Sequence, residues 1–494
     1  MKICFSCFSV CFFLMFSMSL FAQNTTYPQL NAAIKALDNE EDMRSASWSI
    51  CVMDAVTGQI IAEFDKDRNL ATASTMKTVS TATALSLLGP DYRFETLLQY
   101  DGKINSEGVL EGNIYIKGSG DPSLGSDRFG ESYDMPQMMN AWSLAVKAAG
   151  IKSVSGKIIG DESGFSSQLT PGEWPWEDMG NYYGAGSGGL NINENLYRLD
   201  LKPGTSVGSA TEVIRTDPPV DIVFVNELTT GSAGSGDNAY IFGSPYTNLR
   251  YIRGTIPAGN SVFSIKGSMP DPAFFCAQRF TEELNLCGIK VSGTPSTSRL
   301  EKMKGNVMAA ARKNFYTHSS PPLRDIIYQT NMFSVNLFAE ALAKKVAVEK
   351  GRMGDTKEGT EAMEEYWRAQ GIITKGMLLR DGSGLSPNNV ISTYQLTSIL
   401  ARMYKSRYFA DFDASLPIAG KSGSLKSMLK GTVAENRLRA KSGFISGVRA
   451  YAGYAEMLNG KPVAFAIIAN HFSCSPGEMR RKMEVLMVKI VEGK

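Results

Sequence analysis

The predicted secondary structure changes twice along the chain, and these two changes constrain the fold more than any other feature of the sequence. Residues 93–305 hold short β-type segments broken by Gly, Ser, Asn and Pro, whereas residues 306–494 are mostly helical before a closing strand pair. Residues 23–92 add a predicted hairpin and a helix that stops at Gly89-Pro90. We therefore predict an α+β protein in which residues 23–92 and 306–494 form one discontinuous domain. An all-β insertion of two subdomains interrupts it.

The amino-acid composition argues against several kinds of protein, including metal-dependent enzymes and nucleic acid-binding proteins. The 494 residues are 43% hydrophobic and 20% charged, which indicates a globular protein and excludes a small disulfide scaffold or a disordered chain. Only two histidines occur, His318 and His471, and the four cysteines after residue 22 form no Cys-x-x-Cys pair. We therefore expect no metal and no cofactor. Lys and Arg total 51 against 49 Asp and Glu, a balance that argues against a nucleic acid partner.

The N-terminus has the pattern of a secretory signal peptide. Residues 1–22 combine a basic start at Lys2, a long apolar run and a small residue, Ala22, before a polar segment. A permanent transmembrane anchor is the alternative, because the run approaches the length that spans a bilayer. The prediction is a protein of the periplasm or cell envelope.

The predicted last helix, about residues 477–492, carries an apolar stripe and four basic residues. Such a stripe usually packs on the protein's own core, and we favour that interpretation. A peripheral contact with the membrane surface or the wall is the alternative.

A hydroxyl and an amine lie one helical turn apart near the start of the first long helix. Ser74 and Lys77 are three residues apart, which places both side chains on one face. Because a free serine is a weak nucleophile and no histidine is near in sequence, the lysine is the candidate base. The helix N-terminus favours a developing alkoxide and a neutral lysine. Ser427 and Lys430 fit the same template, so one match alone also suits a solvated helix face.

Two further motifs supply polar groups. Ser334-Val335-Asn336 can converge only in a loop, which predicts a connection between two helices, with a simple helix cap as the alternative. Lys441-Ser442-Gly443 opens the closing strand pair, where a glycine lets a ligand lie against the backbone, and a cation beside a hydroxyl suits a carboxylate. Lys421-Ser422-Gly423 is a second copy, but its surroundings indicate a loop, so we prefer the later one.

Together the three motifs match the Ser-x-x-Lys, Ser-Asp-Asn and Lys-Thr-Gly signature of penicillin-binding proteins and class A β-lactamases. The chain resembles the class C low-molecular-mass penicillin-binding proteins of the D-alanyl-D-alanine carboxypeptidase/endopeptidase type. This resemblance covers nearly the whole chain after residue 22 and is carried by residues 73–77, 118–122, 174–178, 181–185, 318–323, 381–386 and 439–443. The gap of about 260 residues between Ser74 and Ser334 fits as well, since this family carries inserted domains at that point.

The resemblance implies a penicillin-recognising transpeptidase fold, an antiparallel sheet flanked by helices, with inserted β-rich domains. It also implies a serine DD-peptidase that acts on peptidoglycan stem peptides and is inhibited by covalent binding of β-lactam antibiotics. By this resemblance Ser74 is the acylated nucleophile, Lys77 its general base, and Ser334 the relay that passes a proton to the leaving D-alanine.

The remaining roles concern the substrate. The resemblance assigns the substrate amide to Asn336, the terminal carboxylate to Lys441 with Ser442, and an oxyanion hole to the backbone N–H groups of Ser74 and Phe444. Gly443 provides the strand backbone against which the peptide lies. His318 and residues 381–386 are expected to be structural, the latter as a glycine-rich turn.

Two other functions fit parts of this pattern. A β-lactamase would share the signature, but it needs an added base that activates water for fast deacylation, and no motif identifies one. A non-catalytic wall-binding or sensor protein could keep the fold, although the intact polar residues argue against it.

Overall fold

The structure, a computed structural model, describes residues 27–259 and 261–494, so the predicted leader lies outside the described residues. The N-terminal part contains α1 (Pro28–Asp38), β1 (Ser47–Asp54), β2 (Ile60–Phe64), β3 (Asn69–Ala71) and α2 (Met76–Leu88). The C-terminal part contains α6 (Leu323–Phe333), α7 (Asn336–Glu349), α8 (Thr356–Ala369), β20 (Val390–Ser392), α9 (Thr393–Tyr404), α10 (Phe409–Ser415), β21 (Leu438–Ile445), β22 (Val448–Glu456), β23 (Pro462–Asn470) and α11 (Pro476–Glu492).

The intervening region is richer in strands. Its first half contains β4 (Glu95–Tyr100), β5 (Lys103–Ile104), β6 (Val109–Glu111), β7 (Ile114–Lys117), α3 (Met135–Ala148), β8 (Ser153–Val154) and β9 (Ile158–Asp161). Its second half contains β10 (Leu196–Lys202), β11 (Glu212–Asp217), β12 (Val223–Asn226), β13 (Thr229–Gly231), β14 (Asn238–Phe242), β15 (Leu249–Pro257), β16 (Phe263–Ser268), α4 (Pro272–Leu286), β17 (Lys290–Val291), β18 (Ser296–Thr297), α5 (Ser298–Met303) and β19 (Lys313–Ser319).

A five-stranded antiparallel sheet forms the centre of the discontinuous domain, in the order β2-β1-β23-β22-β21. Its middle strand, β23, pairs with β1 on one side and with β22 on the other. β21 lies at the edge, and its free side faces the turn that precedes α2. The predicted antiparallel sheet is therefore confirmed, and its edge strand carries the third sequence motif.

Alternate side chains of this sheet serve two different cores. Because successive residues of a strand point to opposite faces, Phe465 and Ile467 pack with α1 and α11, whereas Ala466 and Ile468 pack with the helical layer that contains α2, α7 and α9. Every residue of β23 after Pro462 is buried, which explains its unbroken apolar sequence.

The last helix, α11, packs on the sheet through its apolar stripe. Met479, Met483, Met487 and Ile490 are fully buried in the same cluster as α1 and the sheet. The prediction that this stripe is core is confirmed, and the stripe is not available to a membrane surface. Within the described part of the chain, no helix combines the length and apolar character needed to span a bilayer.

The insertion is rich in strands but is not all-β. Two sheets, β18-β9-β7-β4-β19 and β17-β8-β6-β5, share a core with α3 and α4, while β10 to β16 form a second cluster around Tyr197 and Ile252. The all-β expectation was wrong because residues 135–148 and 272–286 place apolar side chains at helical spacing among polar residues. The two clusters support the proposed division into two subdomains. Since β19 pairs with β4, we propose that the insertion extends to Ser319 rather than to residue 305.

The buried stripe of α11 gives a direct test of the core. Replacing Met483 with Ala should lower the free energy of unfolding by about 3 kcal/mol, because it removes a fully buried side chain and leaves a cavity. Val485→Ala on the same helix is the matched control, since its side chain is 55% exposed and the change should stay within about 0.5 kcal/mol. Urea denaturation of both variants measures the difference, and equal effects would contradict this packing.

Candidate active site

The start of α2 brings a hydroxyl to the surface of a cleft and an amine beneath it. Residues Ala73–Thr75 form a 3-10 turn that runs directly into α2. Ala73 has a φ of 43°, a left-handed conformation that costs energy for a residue with a Cβ atom and is typical of functional turns. Ser74 stays partly accessible, whereas Lys77, one turn later, is completely buried.

Three oxygen atoms fix the Lys77 amine. Its Nζ lies 2.9 Å from Ser74 Oγ, 2.6 Å from Asn336 Oδ1 and 2.7 Å from the carbonyl oxygen of Ser383. The amide and carbonyl oxygens can only accept hydrogen bonds, so a neutral amine must donate its two protons to them. Its lone pair is then directed at the Ser74 hydroxyl. The contacts therefore arrange the pair for proton transfer from serine to lysine.

Burial brings the pKa of the Lys77 amine to a value that suits proton transfer. Loss of water lowers its pKa from the usual 10.5 to about 7, and the carboxylates of Asp381 and Glu340 oppose part of that shift. An amine with a pKa near neutrality is present in its basic form in a large fraction of molecules at pH 7. This is the range in which a general base works best.

A buried carboxylate beneath the cleft holds the turn that meets Lys77. Glu340 Oε1 on α7 accepts hydrogen bonds from the backbone N–H groups of Gly382 at 3.0 Å and of Ser383 at 2.8 Å. Asp381 accepts from the N–H groups of Gly384 and Ser386 at 2.6 and 2.7 Å. Together these bonds aim the Ser383 carbonyl at the lysine.

Two of these groups, the carboxylate of Glu340 and the carbonyl of Ser383, were not predicted from the sequence as parts of the site. Residues 381–386 do form the expected turn, but the turn also supplies an oxygen ligand to Lys77. Glu340 lies four residues after Asn336 and was not singled out. Its burial raises the pKa of Glu340 to about 7, chiefly through loss of water.

The second motif lies between two helices, as predicted. α6 ends at Phe333, Ser334 takes a left-handed φ of 59°, and α7 begins at Asn336. This sharp connection brings two side chains that would diverge on a helix to the same cavity. The Nδ2 group of Asn336 donates to the carbonyl oxygen of Tyr183 at 2.7 Å, which fixes its Oδ1 toward Lys77.

The third motif lies on β21, beside the nucleophile. A Cβ atom on Gly443 would come within 3.1 Å of the backbone nitrogen of Ser74, so only glycine permits this approach without displacement. Lys441 is fully buried and its Nζ donates to the carbonyl oxygen of Ser442 at 2.7 Å. Burial, together with repulsion from Lys77, lowers the pKa of Lys441 well below its ordinary value.

Part of this set opens onto one cavity of about 590 Å³, whose lining does not include Lys77, Lys441, Ser442 or Gly443. Ser74, Ser334, Asn336 and Phe444 line it, and the insertion contributes two carboxylates and three tyrosines, namely Glu177, Asp178, Tyr182, Tyr183 and Tyr240. The second sequence copies lie outside this cavity, with Ser427 and Lys430 exposed. His318 also lies away from it, on β19 in the insertion, where its ring contacts the edge of Trp142.

The structure therefore brings the predicted residues together on one side of the sheet. Lys77 bonds to Ser74 and Asn336, while Gly443 closes on Ser74 from the neighbouring strand. Ser442 is partly accessible, and its hydroxyl lies 2.7 Å from that of Ser424. The roles assigned to these residues stay predictions. A buried amine beside a serine hydroxyl is an arrangement suited to acyl transfer, in which a lysine can serve as the base in place of a histidine.

Comparison with known proteins gives the family. The family described as D-Ala-D-Ala carboxypeptidase 3 (S13) matches residues 30–490, and the chain belongs to it. The D-alanyl-D-alanine carboxypeptidase of Actinomadura sp. (strain R39) is 28% identical over 467 residues, which cover 92% of this chain and 83% of that protein. The D-alanyl-D-alanine carboxypeptidase DacB of Haemophilus influenzae is 26% identical over 437 residues, covering 87% and 86%.

The fold is shared with a solved relative. The crystal structure of penicillin binding protein 4 (dacB) from Haemophilus influenzae superposes with a TM-score of 0.76 at 23% identity, over 90% of this chain and 95% of that one. The predicted class, a serine-type D-Ala-D-Ala carboxypeptidase of the penicillin-binding protein family, is confirmed by the family match, and the predicted fold by the superposition.

The buried carboxylate of Glu340 makes a prediction about pH. The acylation rate with penicillin should rise with pH through about 7, as Lys77 loses its proton. Glu340→Gln keeps an oxygen that can accept from Gly382 and Ser383 but removes a negative charge that raises the pKa of Lys77. The midpoint should therefore move to lower pH, by about one unit.

Stopped-flow acylation between pH 5 and 9 measures this midpoint. Glu349→Gln, an exposed position on the same helix, is the control and should leave the midpoint in place. A midpoint that stays fixed or moves upward in Glu340→Gln would show that the carboxylate does not act on Lys77.

Proposed function

We propose that Ser74 forms an acyl-enzyme with peptidoglycan stem peptides that end in D-Ala-D-Ala. The observation that carries this proposal is the 2.9 Å contact between Ser74 Oγ and the Nζ of a completely buried Lys77. The amine accepts the hydroxyl proton while the oxygen attacks the carbonyl carbon of the penultimate D-alanine. The backbone N–H groups of Ser74 and Phe444 stabilise the negative charge that develops on the carbonyl oxygen.

Release of the leaving group completes the first half of the reaction. Ser334, in the same cavity, passes the proton from Lys77 to the amine of the terminal residue as the C–N bond breaks. Water then hydrolyses the ester on Ser74, with Lys77 acting again as the base. No metal or cofactor enters this scheme.

Substrate contacts follow from the edge strand. The stem peptide lies along β21 and Asn336 binds its amide. Gly443, which has no Cβ to meet the turn at residues 72–74, keeps this strand close to Ser74. The terminal carboxylate lies between Lys441 and Ser442. Because burial lowers the pKa of Lys441, an incoming carboxylate that restores a counter-charge favours the protonated lysine and is bound by it.

The same cavity supports cleavage of cross-links and binding of β-lactam antibiotics. A β-lactam ring presents a carbonyl and a nearby carboxylate, the two groups that this arrangement holds. A related structure, penicillin binding protein 4 (dacB) of Haemophilus influenzae, is solved in complex with a β-lactam. Glu177 and Asp178 in the cavity wall suit an amine on the stem peptide.

We further propose that the protein works in the periplasm or cell envelope, to which residues 1–22 direct it as a signal peptide. The support for this location is the match to D-alanyl-D-alanine carboxypeptidases, since an enzyme with a wall substrate must leave the cytoplasm. Contact with the wall itself follows from this substrate, and no contact with the membrane is required.

Labelled penicillin tests the nucleophile. The wild-type protein should carry a covalent label, and Ser74→Ala should lose it, because among the described residues Ser74 is the serine whose hydroxyl contacts the buried amine of Lys77. Ser427→Ala, from the second Ser-x-x-Lys copy, is the matched control and should keep the label. Label on Ser74→Ala would refute the assignment. Rapid loss of label from the wild type with release of hydrolysed antibiotic would instead indicate a β-lactamase.

A further inference from the structure

A second groove of about 480 Å³ adjoins the catalytic cavity. We call it the leaving-side groove and define it by Phe333, Ser334, Lys421, Gly423, Ser424 and Lys426. Phe333 and Ser334 also line the catalytic cavity, so the two spaces meet at the proposed proton relay.

The wall of this groove is fixed in place. Gly423, with a φ of 53°, packs so closely on α6 that an added Cβ atom would lie 2.7 Å from the carbonyl oxygen of Met332. The backbone N–H of Ile418 donates to Ser422 Oγ at 3.0 Å. Ser424 Oγ lies 2.7 Å from Ser442 Oγ, so the groove begins where the terminal carboxylate of the substrate is held.

The groove is locally basic. Lys421 and Lys426 are both exposed, and among the described residues neither has a carboxylate within 4.0 Å. The chain as a whole is nearly neutral, at +2, so this pair is a local feature and does not follow from overall charge. Two unpaired ammonium groups at the mouth of a groove attract an anionic ligand.

Cleavage of a cross-link requires space for a second peptide next to Ser334. When the scissile bond joins two stem peptides, the leaving amine carries the whole second peptide and not a single D-alanine. The carboxylate of the leaving residue occupies the site between Lys441 and Ser442. The rest of the second peptide must then continue past Ser334 and Ser424, and it carries further free carboxylates, including that of its own C-terminus.

We propose that the leaving-side groove binds the second stem peptide of a cross-link, with Lys421 and Lys426 paired to its carboxylates. This inference rests on the proposed function. The step balances as an ordinary acyl transfer: the amide C–N bond breaks, the ester bond to Ser74 forms, and the serine proton reaches the leaving amine.

Comparing a cross-linked and a monomeric substrate with the same stem peptide distinguishes binding in the leaving-side groove from catalysis at Ser74. A purified cross-linked muropeptide dimer and the monomeric pentapeptide muropeptide are each incubated with wild type and with the double variant Lys421→Glu/Lys426→Glu, and the products are separated by chromatography. The ratio of kcat/KM for dimer over monomer should fall about ten-fold in the double variant, mainly through KM. In the wild type, salt should raise KM for the dimer more than for the monomer.

Lys430→Glu is the matched control, because Lys430 is an exposed lysine of the same segment that does not line the groove. It should leave the ratio unchanged. An unchanged ratio in the double variant, or a wild type that cleaves only the monomer, would overturn the inference and leave the proposed function standing. Failure of the wild type on both substrates together with failure of penicillin labelling would overturn the proposed function, and this inference with it.

Discussion

A lysine side chain sealed from water is the interaction on which the rest of the site depends. An amine can be buried only if each of its protons finds an acceptor, and neutral Lys77 donates its two protons to Asn336 Oδ1 and the Ser383 carbonyl while its lone pair accepts from the Ser74 hydroxyl. Satisfying these contacts requires the break between α6 and α7, the turn at 381–386 and the carboxylate of Glu340 beneath that turn. Ser74 and Lys77 are thus held by groups from two other stretches of the chain, residues 334–340 and residues 381–386.

The insertion takes part in this support. Trp174 Nε1 donates to Asp381 Oδ2 at 2.9 Å, and the Tyr183 carbonyl accepts from Asn336 at 2.7 Å. Lys344, buried on α7, donates to the carbonyl oxygens of Gln168 and Ser187, both at 2.7 Å. Residues 168–187 therefore complete the hydrogen bonds of the catalytic domain as well as the wall of its cavity, so the insertion cannot be treated as a detachable addition.

The positions of Ser74, Lys77, Ser334 and Asn336 could be predicted from the sequence, because they depend on the backbone geometry of residues close together in the chain. Residue spacing places Ser74 and Lys77 on one helix face, and the divergence of helical side chains two apart correctly required a break at Ser334. Glu340 and the Ser383 carbonyl could not be found in this way. Their partners lie more than 40 residues away in sequence, and a backbone carbonyl leaves no trace in the identity of its residue. The helix α3 was missed because Gly and Pro in its surroundings suggested strands and turns.

The pairing of β1 with β23 has a consequence for how the chain acquires its shape during synthesis. Ser47 lies opposite Asn470, so the central sheet closes a loop of more than 400 residues. β1 therefore lacks its partner strand towards the middle of the sheet until β23 has been synthesised. The strands between residues 95 and 319, by contrast, find all their sheet partners within that stretch. During synthesis the insertion can therefore fold before the central sheet, which must wait for its middle strand. Until that strand is synthesised, the apolar edge of β1 is exposed to chaperones that bind the nascent chain.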